Sequence, residues 1–140
     1  MDKIGVIYWS GTGNTQGMAN AIAKGAGEIA ALSSVEEINP EEAAGFDGLM
    51  LGCPAMGAEV LEEDAFEPFF TALEGKLSGK PVALFGSYGW GDGEWMRAWQ
   101  ERVLAAGAGL FEEGLIVNEA PDDAALRLCE DFGARFARQA

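Results

Sequence analysis

The stretch Ile4-Gly5-Val6-Ile7-Tyr8-Trp9 runs directly into Ser10-Gly11-Thr12-Gly13-Asn14-Thr15. Its first half is apolar and rich in β-branched residues, which predicts a buried strand, and the amphipathic segment after it predicts a helix. Between them lie three hydroxyl side chains, one amide and two glycines, with no charge. Glycines let the backbone approach a ligand closely, and hydroxyls and amide N–H groups at a helix N-terminus donate to anions. The loop is therefore expected to bind a phosphate.

The chemistry of this loop argues against phosphoryl transfer. It lacks the Gly-Lys-Ser/Thr of a Walker A sequence and does not follow GxGxxG. The sequence has no histidine, the usual general base, and its two cysteines are too few for a Cys₄ metal site. Cys53 and Cys129 are expected to be buried thiols, and no metal site is predicted. The phosphate is expected to anchor a cofactor that supplies the chemistry.

Length and charge narrow the class of protein. At 140 residues the chain fits a single domain over residues 1–140. It has no apolar run of about 18 residues and opens on no signal peptide, so a cytoplasmic protein is expected. A formal charge of −14 would repel nucleic acid. No base stands between Lys24 and Lys76, and this acidic stretch either keeps the protein soluble or steers it to a basic partner.

Strand and helix patterns alternate along the chain. Strands are predicted over residues 3–9, 35–38, 48–53, 81–86 and 115–117, and helices over 14–30, 66–77, 94–106 and 122–137, with a polar turn at Asn39-Pro40. The central strands are apolar throughout, as in a parallel sheet covered on both faces. Right-handed crossovers then predict a doubly wound α/β fold with a five-stranded sheet, in which ligands bind beyond the carboxyl ends of the strands.

Two unusual loops, residues 54–59 and 87–93, follow the predicted third and fourth strands. The second places the indole of Trp90 among glycines, with no helix or strand face to pack on. Taken singly, Met56 could fill a core, Asp92 could cap the next helix and Glu59 could be a solvated acid. Together with the phosphate loop, Met56 and Trp90 are expected to flank a slot for a planar ring with a phosphate tail.

Four segments closely resemble the short-chain flavodoxins of anaerobic bacteria, namely YWSGTGNT at 8–15, GCPAMG at 52–57, EPFF at 67–70 and LFGSYGWGDGEWM at 84–96. They lie in the same order and at similar spacing over nearly the whole chain. The resemblance implies strand order 2-1-3-4-5, non-covalently bound FMN and a monomer that shuttles single electrons rather than an enzyme. Implied partners are redox proteins with basic docking faces, among them low-potential oxidoreductases that otherwise use ferredoxin.

The resemblance also implies roles for single residues around the FMN. The implied phosphate ligands are Ser10, Thr12, Asn14 and Thr15, with Gly11 and Gly13 shaping the loop. Ser87 resembles the residue that closes the site near the phosphate and the ribityl chain. Around the ring, the implied contacts are stacking by Met56 and Trp90 and backbone amides at Gly89 and Gly91. The remaining implied cofactor-binding residues are Pro54, Ala55, Gly57, Ala58, Glu59, Tyr88 and Asp92.

Two of these residues carry more specific expectations. Glu59 resembles the carboxylate that accepts from flavin N3–H, and Gly57 resembles the residue whose peptide turns over to offer its carbonyl to N5–H after one-electron reduction. If that turn is then type II, Ala58 must adopt φ > 0, which costs alanine about 1 kcal/mol relative to glycine. Related sequences often carry Asp, Ser or Gly there, so a less stabilised one-electron-reduced state is expected.

Acids around the ring are expected to lower the reduction potential of the flavin. Fully reduced flavin tends to be an anion, and no basic group is predicted in the pocket. One carboxylate about 8 Å away, at an effective dielectric near 20, would cost that anion roughly 2 kcal/mol, or on the order of 90 mV. Because salt screens distant charges, Asp92, Glu59 and the acids at 62–64 are expected to dominate.

Three other functions compete with this interpretation. A flavin enzyme on the same fold, such as a quinone or nitro-compound reductase, would need a substrate pocket over the ring and usually a nicotinamide site, and these loops are short. A phosphoacceptor signalling domain would need acids after the first strand and an aspartate ending the third, where Ser10 and Cys53 stand. A purely structural module would not account for the predicted phosphate-binding loop or for the two side chains expected to flank a planar ring.

Overall fold

A parallel β-sheet forms the centre of the molecule. The computed structural model describes residues 1–139. The strands are β1 Ile4–Tyr8, β2 Ala30–Ser34, β3 Gly48–Gly52, β4 Pro81–Tyr88, β5 Gly109–Leu110 and β6 Leu115–Asn118. The helices are α1 Asn14–Ala26, α2 Pro40–Ala44, α3 Phe66–Glu74, α4 Glu94–Ala105 and α5 Asp123–Ala137, with a 3-10 turn at Gly27–Ile29. Within these residues, no helix combines the length and apolarity that crossing a membrane requires.

The strands lie in the order β2-β1-β3-β4, and both β5 and β6 pair with β4, with all pairs parallel. This confirms the doubly wound α/β fold and the order 2-1-3-4-5, with the fifth position filled by two short strands. Residues 111–114 separate those strands, and the Phe111 N–H still donates to the Val82 carbonyl of β4 at 2.8 Å. There Glu112 has a φ of 54°, and Phe111 packs on Phe132 and Phe136 of α5 with ring centroids 5.6 and 5.3 Å away.

The prediction for the second strand was wrong. It was placed at residues 35–38, whereas β2 covers Ala30–Ser34 and aligns Ala30 with Ile4 of β1. Helix α1 ends at Ala26, whereas the prediction carried it to residue 30, because Gly27 has a φ of 85°, which is incompatible with continuing the α-helix. Lacking β-branched residues, β2 carries little strand signal of its own and takes its conformation from pairing with β1.

A short helix stands where a polar turn was predicted. Asn39 is the N-cap of α2: its side chain accepts from the Glu42 N–H at 2.8 Å, and the Glu42 carboxylate accepts from the Asn39 N–H at 3.2 Å. Pro40 at the first helical position needs no hydrogen-bond partner for its nitrogen. The Asn-x-x-Glu spacing is a capping box, so this helix was visible in the sequence.

Helices cover both faces of the sheet, as predicted. On one face α3 and α4 pack on alternate side chains of the strands, around Phe66, Phe70 and Trp99. On the other, α1 and α5 pack around a second core that includes Met18 and Phe132. Each core is built from strand residues that point in opposite directions, which explains why the central strands are apolar throughout.

Both cysteines are buried free thiols, as predicted. Burial raises the pKa of the Cys129 thiol to about 11 and raises the pKa of Cys53 still further. A thiol that stays protonated at neutral pH is a poor nucleophile. Neither cysteine is therefore suited to covalent catalysis.

Candidate functional site

The loops after β1, β3 and β4 border a cleft of about 260 Å³ at the carboxyl edge of the sheet. Predicted site residues that line it are Gly11, Thr12, Asn14, Pro54, Ala55, Met56, Ser87, Tyr88 and Gly89. Trp9 and Glu119 also line it and were not predicted. The predicted residues that are not part of this lining are Ser10, Gly13, Thr15, Gly57, Ala58, Glu59, Trp90, Gly91 and Asp92.

The loop between β1 and α1 is organised by the hydroxyl of Ser10. Its oxygen accepts from the backbone N–H groups of Gly13 at 3.1 Å and Gln16 at 3.2 Å, so it caps the start of α1. Gly13 itself has a φ of 96°, a conformation that favours glycine. The hydroxyl hydrogen of Ser10 remains available to donate, since the oxygen acts as an acceptor in both of these bonds. The exposed Thr12 presents a second hydroxyl at the same helix end. This end can therefore donate several hydrogen bonds to an anion.

A buried hydroxyl pair joins this loop to the loop after β4. The oxygens of Thr15 and Ser87 are 3.0 Å apart, and the Ser87 N–H donates to the Thr15 hydroxyl at 3.3 Å. Ser87 borders the cleft, whereas Thr15 lies behind it with only 1% of its surface exposed. The pair fixes the spacing of the two loops and orients the Ser87 hydroxyl.

The loop after β3 contains a tight turn over residues 56–59. The Glu59 N–H donates to the Met56 carbonyl at 2.8 Å, and the Met56 N–H donates to the Val60 carbonyl at 3.0 Å. Of residues 1–139, the non-glycine residues with positive φ include Glu59, at 51°, and do not include Ala58. The central peptide is therefore not in the type II arrangement, which would need φ > 0 at Ala58.

Glu59 is not the solvated acid that it could have been. Its Oε1 atom is buried and has no hydrogen-bond partner among the described residues. A Cβ atom added to Gly91 would lie 2.4 Å from this oxygen, so the carboxylate is held against the backbone of the loop after β4. A buried acceptor without a donor is unfavourable by about 1–3 kcal/mol, and it marks a position where a ligand N–H group would be stabilising.

The loop after β4 places one aromatic ring and one ion pair at the surface. Trp90 is 64% exposed. Arg97 donates to the Asp92 carboxylate at 3.0 Å and to its backbone carbonyl at 2.9 Å, and its guanidinium holds the pKa of Asp92 below the ordinary value. A base therefore stands beside this loop, outside the lining of the cleft, and the N-cap of α4 is Gly93, not Asp92.

Glu62, one of the acids expected to act on the ring, has a structural role instead. It is buried, and its carboxylate accepts from the backbone N–H groups of Asp64, Ala65 and Phe66 at 2.7–2.8 Å, at the start of α3. Desolvation acts to raise the pKa of Glu62, but these three donors outweigh it and the pKa is lowered. Its charge is thus largely satisfied by backbone N–H groups at and just before the start of α3.

The two unpredicted cleft residues gave weak signals in the sequence. Trp9 ends an apolar strand and so resembles a core residue, yet its ring lies over Gly11, where an added Cβ would come within 3.0 Å of it. Glu119 resembles an ordinary solvated acid. Its φ of 58° and its hydrogen bond to the Tyr88 carbonyl, at 2.7 Å, depend on tertiary structure and cannot be read from the sequence.

Comparison with known proteins identifies the family. Residues 6–133 match the family model for flavodoxin. The chain is 50% identical over 135 residues to the flavodoxin of Clostridium beijerinckii, with 94% of this chain and 97% of the relative covered. It is 49% identical over 136 residues to the flavodoxin of Megasphaera elsdenii, with 95% and 97% covered. The chain belongs to the flavodoxin family. The fold agrees, since the solution structure of two-electron reduced Megasphaera elsdenii flavodoxin matches with a TM-score of 0.87, at 47% identity over 97% of this chain and 99% of that one.

Flavodoxins bind FMN and carry electrons to redox partners, and this chain is an FMN-binding electron carrier rather than an enzyme. The absence of histidine and the two buried thiols agree with that role. A flavin reductase on the same fold fits less well, because the two relatives above, each covered to 97% of its length, are flavodoxins.

Proposed function

We propose that FMN lies in the cleft at the carboxyl edge of the sheet and that the protein carries single electrons at low potential. The observation that carries this assignment is the donor-rich loop that borders the cleft. A second feature supports it from the loop after β3, although Glu59 borders a neighbouring cavity with Trp95 and Trp99 and not the cleft itself. An uncharged loop rich in donors opens α1, and a buried carboxylate oxygen without a donor, Glu59 Oε1, lies against the loop after β4. FMN has an anionic tail and a ring N–H group, which complement these two features.

At the tail, the hydroxyls of Ser10 and Thr12 and the side-chain amide of Asn14 bind the phosphate at the start of α1. The N–H groups of Gly13 and Gln16 already donate to the Ser10 hydroxyl and hold it in place. Thr15 acts on the cofactor indirectly, because its hydroxyl already contacts that of Ser87. Ser87 then donates to the cofactor from a position fixed by that contact. No basic side chain is needed, since the helix dipole and neutral donors supply the stabilisation.

At the ring, Met56 lies on one side and Trp90 closes over the other. Trp90 gives up its large exposed surface when a flat ring covers it, which stabilises the bound state. Gly89 and Gly91 place backbone amides toward the pyrimidine edge, and the unpaired Glu59 oxygen accepts from N3–H.

Bound FMN supplies one-electron redox chemistry, and the chain sets its potential. The Glu59 carboxylate opposes the extra negative charge of fully reduced flavin and so lowers the potential. Asp92 contributes less than expected, because Arg97 offsets its charge. Redox partners with basic docking faces fit the acidic stretch from Lys24 to Lys76, and low-potential oxidoreductases that otherwise use ferredoxin are the proposed class.

A comparison of two flavins tests the position of the phosphate. Thr12→Ala should weaken FMN binding by about tenfold, the worth of one hydrogen bond to a charged group, with riboflavin affinity nearly unchanged because it has no phosphate. Thr71→Ala, on the exposed side of α3, is the matched control. Equal losses for FMN and riboflavin in fluorescence titrations would remove the loop from this role.

Reductive titration tests the electron count. Stepwise addition of dithionite to the FMN-loaded protein should reduce the flavin in two separate one-electron steps, seen in its visible absorption. Reduction in a single two-electron step, or steady oxidation of NAD(P)H by the pure protein, would favour the reductase instead.

A further inference from the structure

A second cavity lies between the loop after β3 and helices α3 and α4. Its volume is about 120 Å³, and its lining includes Glu59, Glu67, Trp95, Trp99 and Arg102. None of the described residues that line it also lines the cleft assigned to FMN. The cavity is therefore a separate space, and Glu59 connects it to the loop that the proposed function places against the flavin ring.

Two polar atoms on the lining residues are buried without a partner, and they are of opposite kinds. Among the described residues, the buried side-chain nitrogen and oxygen atoms that lack a hydrogen bond are Glu59 Oε1 and Trp99 Nε1. A carboxylate oxygen accepts hydrogen bonds, whereas an indole N–H only donates. Trp99 is 1% exposed. Because each atom is unfavourable without a partner, a molecule in the cavity that pairs with both would be stabilising.

The other donors around the cavity already have partners. The Trp95 N–H donates to the Cys53 carbonyl at 3.1 Å. All three guanidinium nitrogens of Arg102 donate to Glu67 or Glu74, at 2.8–3.1 Å. These groups are held by their own acceptors, so neither supplies the missing hydrogen bonds.

Water is the ligand whose chemistry fits this cavity. A water molecule donates to a carboxylate and accepts from an indole N–H at the same time, and at about 30 Å³ per molecule a few molecules fit into this volume. We propose that bound water links the Trp99 N–H to the Glu59 carboxylate. Trp99 is then a positioning residue for Glu59, a consequence that rests on the proposed contact of Glu59 with the flavin ring.

The water and the flavin do not compete for Glu59. An ionised carboxylate has about four acceptor sites on its two oxygens, so it can accept from water in the cavity and from a ring N–H together. Water on one side fixes the orientation of the carboxylate before the flavin arrives, which lowers the cost of binding. Without the Trp99 N–H, the carboxylate would adopt more orientations and bind the ring less tightly.

Nuclear magnetic resonance of the flavin-free protein tests the water itself. The four tryptophans give four indole N–H signals, and sequential assignment identifies that of Trp99. This proton should show a nuclear Overhauser effect to the water resonance, with the sign of a long-lived bound molecule. The rings of Phe66 and Phe70 stand at 86° and 87° to that of Trp99. An N–H over the face of either ring would instead resonate at high field without a water contact, which would overturn the proposal.

Riboflavin binding tests the positioning role, because riboflavin carries the ring without the phosphate. Trp99→Phe keeps an aromatic ring and removes the N–H, and it should weaken riboflavin about fivefold in fluorescence titration, the net worth of one hydrogen bond. In a Glu59→Ala background the same substitution should change the affinity by less than about twofold, since no carboxylate is left to position. Phe132→Leu, in the core on the other face of the sheet, controls for lost packing and should leave riboflavin affinity unchanged.

The two experiments answer separate questions. A water contact at the Trp99 proton, together with a riboflavin loss that needs the Glu59 carboxylate, supports the proposal. Absence of the contact, no loss in Trp99→Phe, or an equal loss with and without the carboxylate would overturn it. If the unmodified protein bound no FMN, the place of FMN in the cleft would be wrong, and the resonance experiment would still decide whether the cavity binds water.

Discussion

The buried carboxylate of Glu62 stabilises the start of α3 by accepting three backbone hydrogen bonds there. Ala65, the N-cap residue, has no side chain that could accept them. Glu62→Gln leaves an amide group facing donors that need an acceptor, and it should lower the free energy of unfolding by roughly 2 kcal/mol at neutral pH. Urea denaturation measures this loss, with Glu63→Gln, at an exposed neighbour, as the control. A loss in Glu62→Gln no greater than in the control would contradict the capping role.

The same carboxylate predicts a pH dependence. Because the pKa of Glu62 is lowered on folding, its contribution is complete above the pKa of an unfolded glutamate. That contribution is lost as pH falls through the lower pKa of the folded state. The difference in unfolding free energy between the unmodified protein and Glu62→Gln should therefore shrink as pH falls through that interval. A constant difference would point to packing alone.

Ala58 sets a second prediction for a single residue. In the described turn its φ is not positive, and the reduced arrangement implied by the family resemblance would require it to be. Ala58→Gly should remove a penalty of about 1 kcal/mol and so separate the two one-electron potentials of bound FMN by tens of millivolts more. Spectroelectrochemical titration measures both potentials. If the difference between the two potentials were unchanged or smaller in Ala58→Gly, backbone strain at Ala58 would not explain the effect.

Helices α1 and α5 cross with almost no space between their backbones. A Cβ atom on Gly133 would lie 2.1 Å from the Ile22 carbonyl oxygen, and one on Gly25 would lie 1.8 Å from that of Glu130. Alanine normally stabilises a helix relative to glycine. At these two positions, however, the close approach of the two backbones leaves no space for a Cβ atom.

Gly133→Ala should therefore destabilise the protein despite its better helix propensity. Separating two packed backbones costs about 1–3 kcal/mol, more than the propensity returns. Thermal denaturation followed by circular dichroism measures the loss. Gly75→Ala is the matched control, because an added Cβ there meets nothing within 4 Å. Equal melting temperatures for the two variants would show that α5 shifts at no cost.

Elements with a strong local pattern were predictable and those that depend on pairing were not. The helix over Glu94–Ala105 buries Trp95, Trp99 and Val103 at helical spacing, and it was found within a residue of its end. Strand β2 was misplaced, because its sequence is short of strand-forming residues and β1 determines its conformation. The split of the fifth strand follows from Phe111 packing on α5, a contact between distant segments.

For the whole molecule, the position of the cleft followed from topology. Parallel strands end at one edge, so unusual loops after β1, β3 and β4 had to meet there. The connection between β6 and α5 brings Glu119 to the same edge, but its sequence carries no chemistry that stands out. The Arg97–Asp92 ion pair was also unpredicted, because surface side chains five residues apart have many possible partners.

The net charge of −14 predicts salt-dependent partner binding. Electron transfer from the reduced protein to a basic cytochrome c should slow by about tenfold or more as ionic strength rises from about 0.01 to 0.15 M, because the screening length falls from about 30 to 8 Å. Stopped-flow kinetics measures this rate. An uncharged quinone as acceptor is the control and should show little change. Equal salt dependence for both acceptors would argue against steering by charge.

The uneven exposure of the tryptophans gives the protein an intrinsic optical reporter. Trp95 and Trp99 are buried and Trp9, in the cleft lining, is half-buried, whereas Trp90 has most of its surface in solvent. Emission from an indole in water lies at longer wavelength and is readily quenched by iodide or acrylamide. Trp90 should thus dominate the quenchable emission of the flavin-free protein, and a ring stacked on it should shield it from the quencher. Cofactor occupancy can then be followed by light emission alone, without any label.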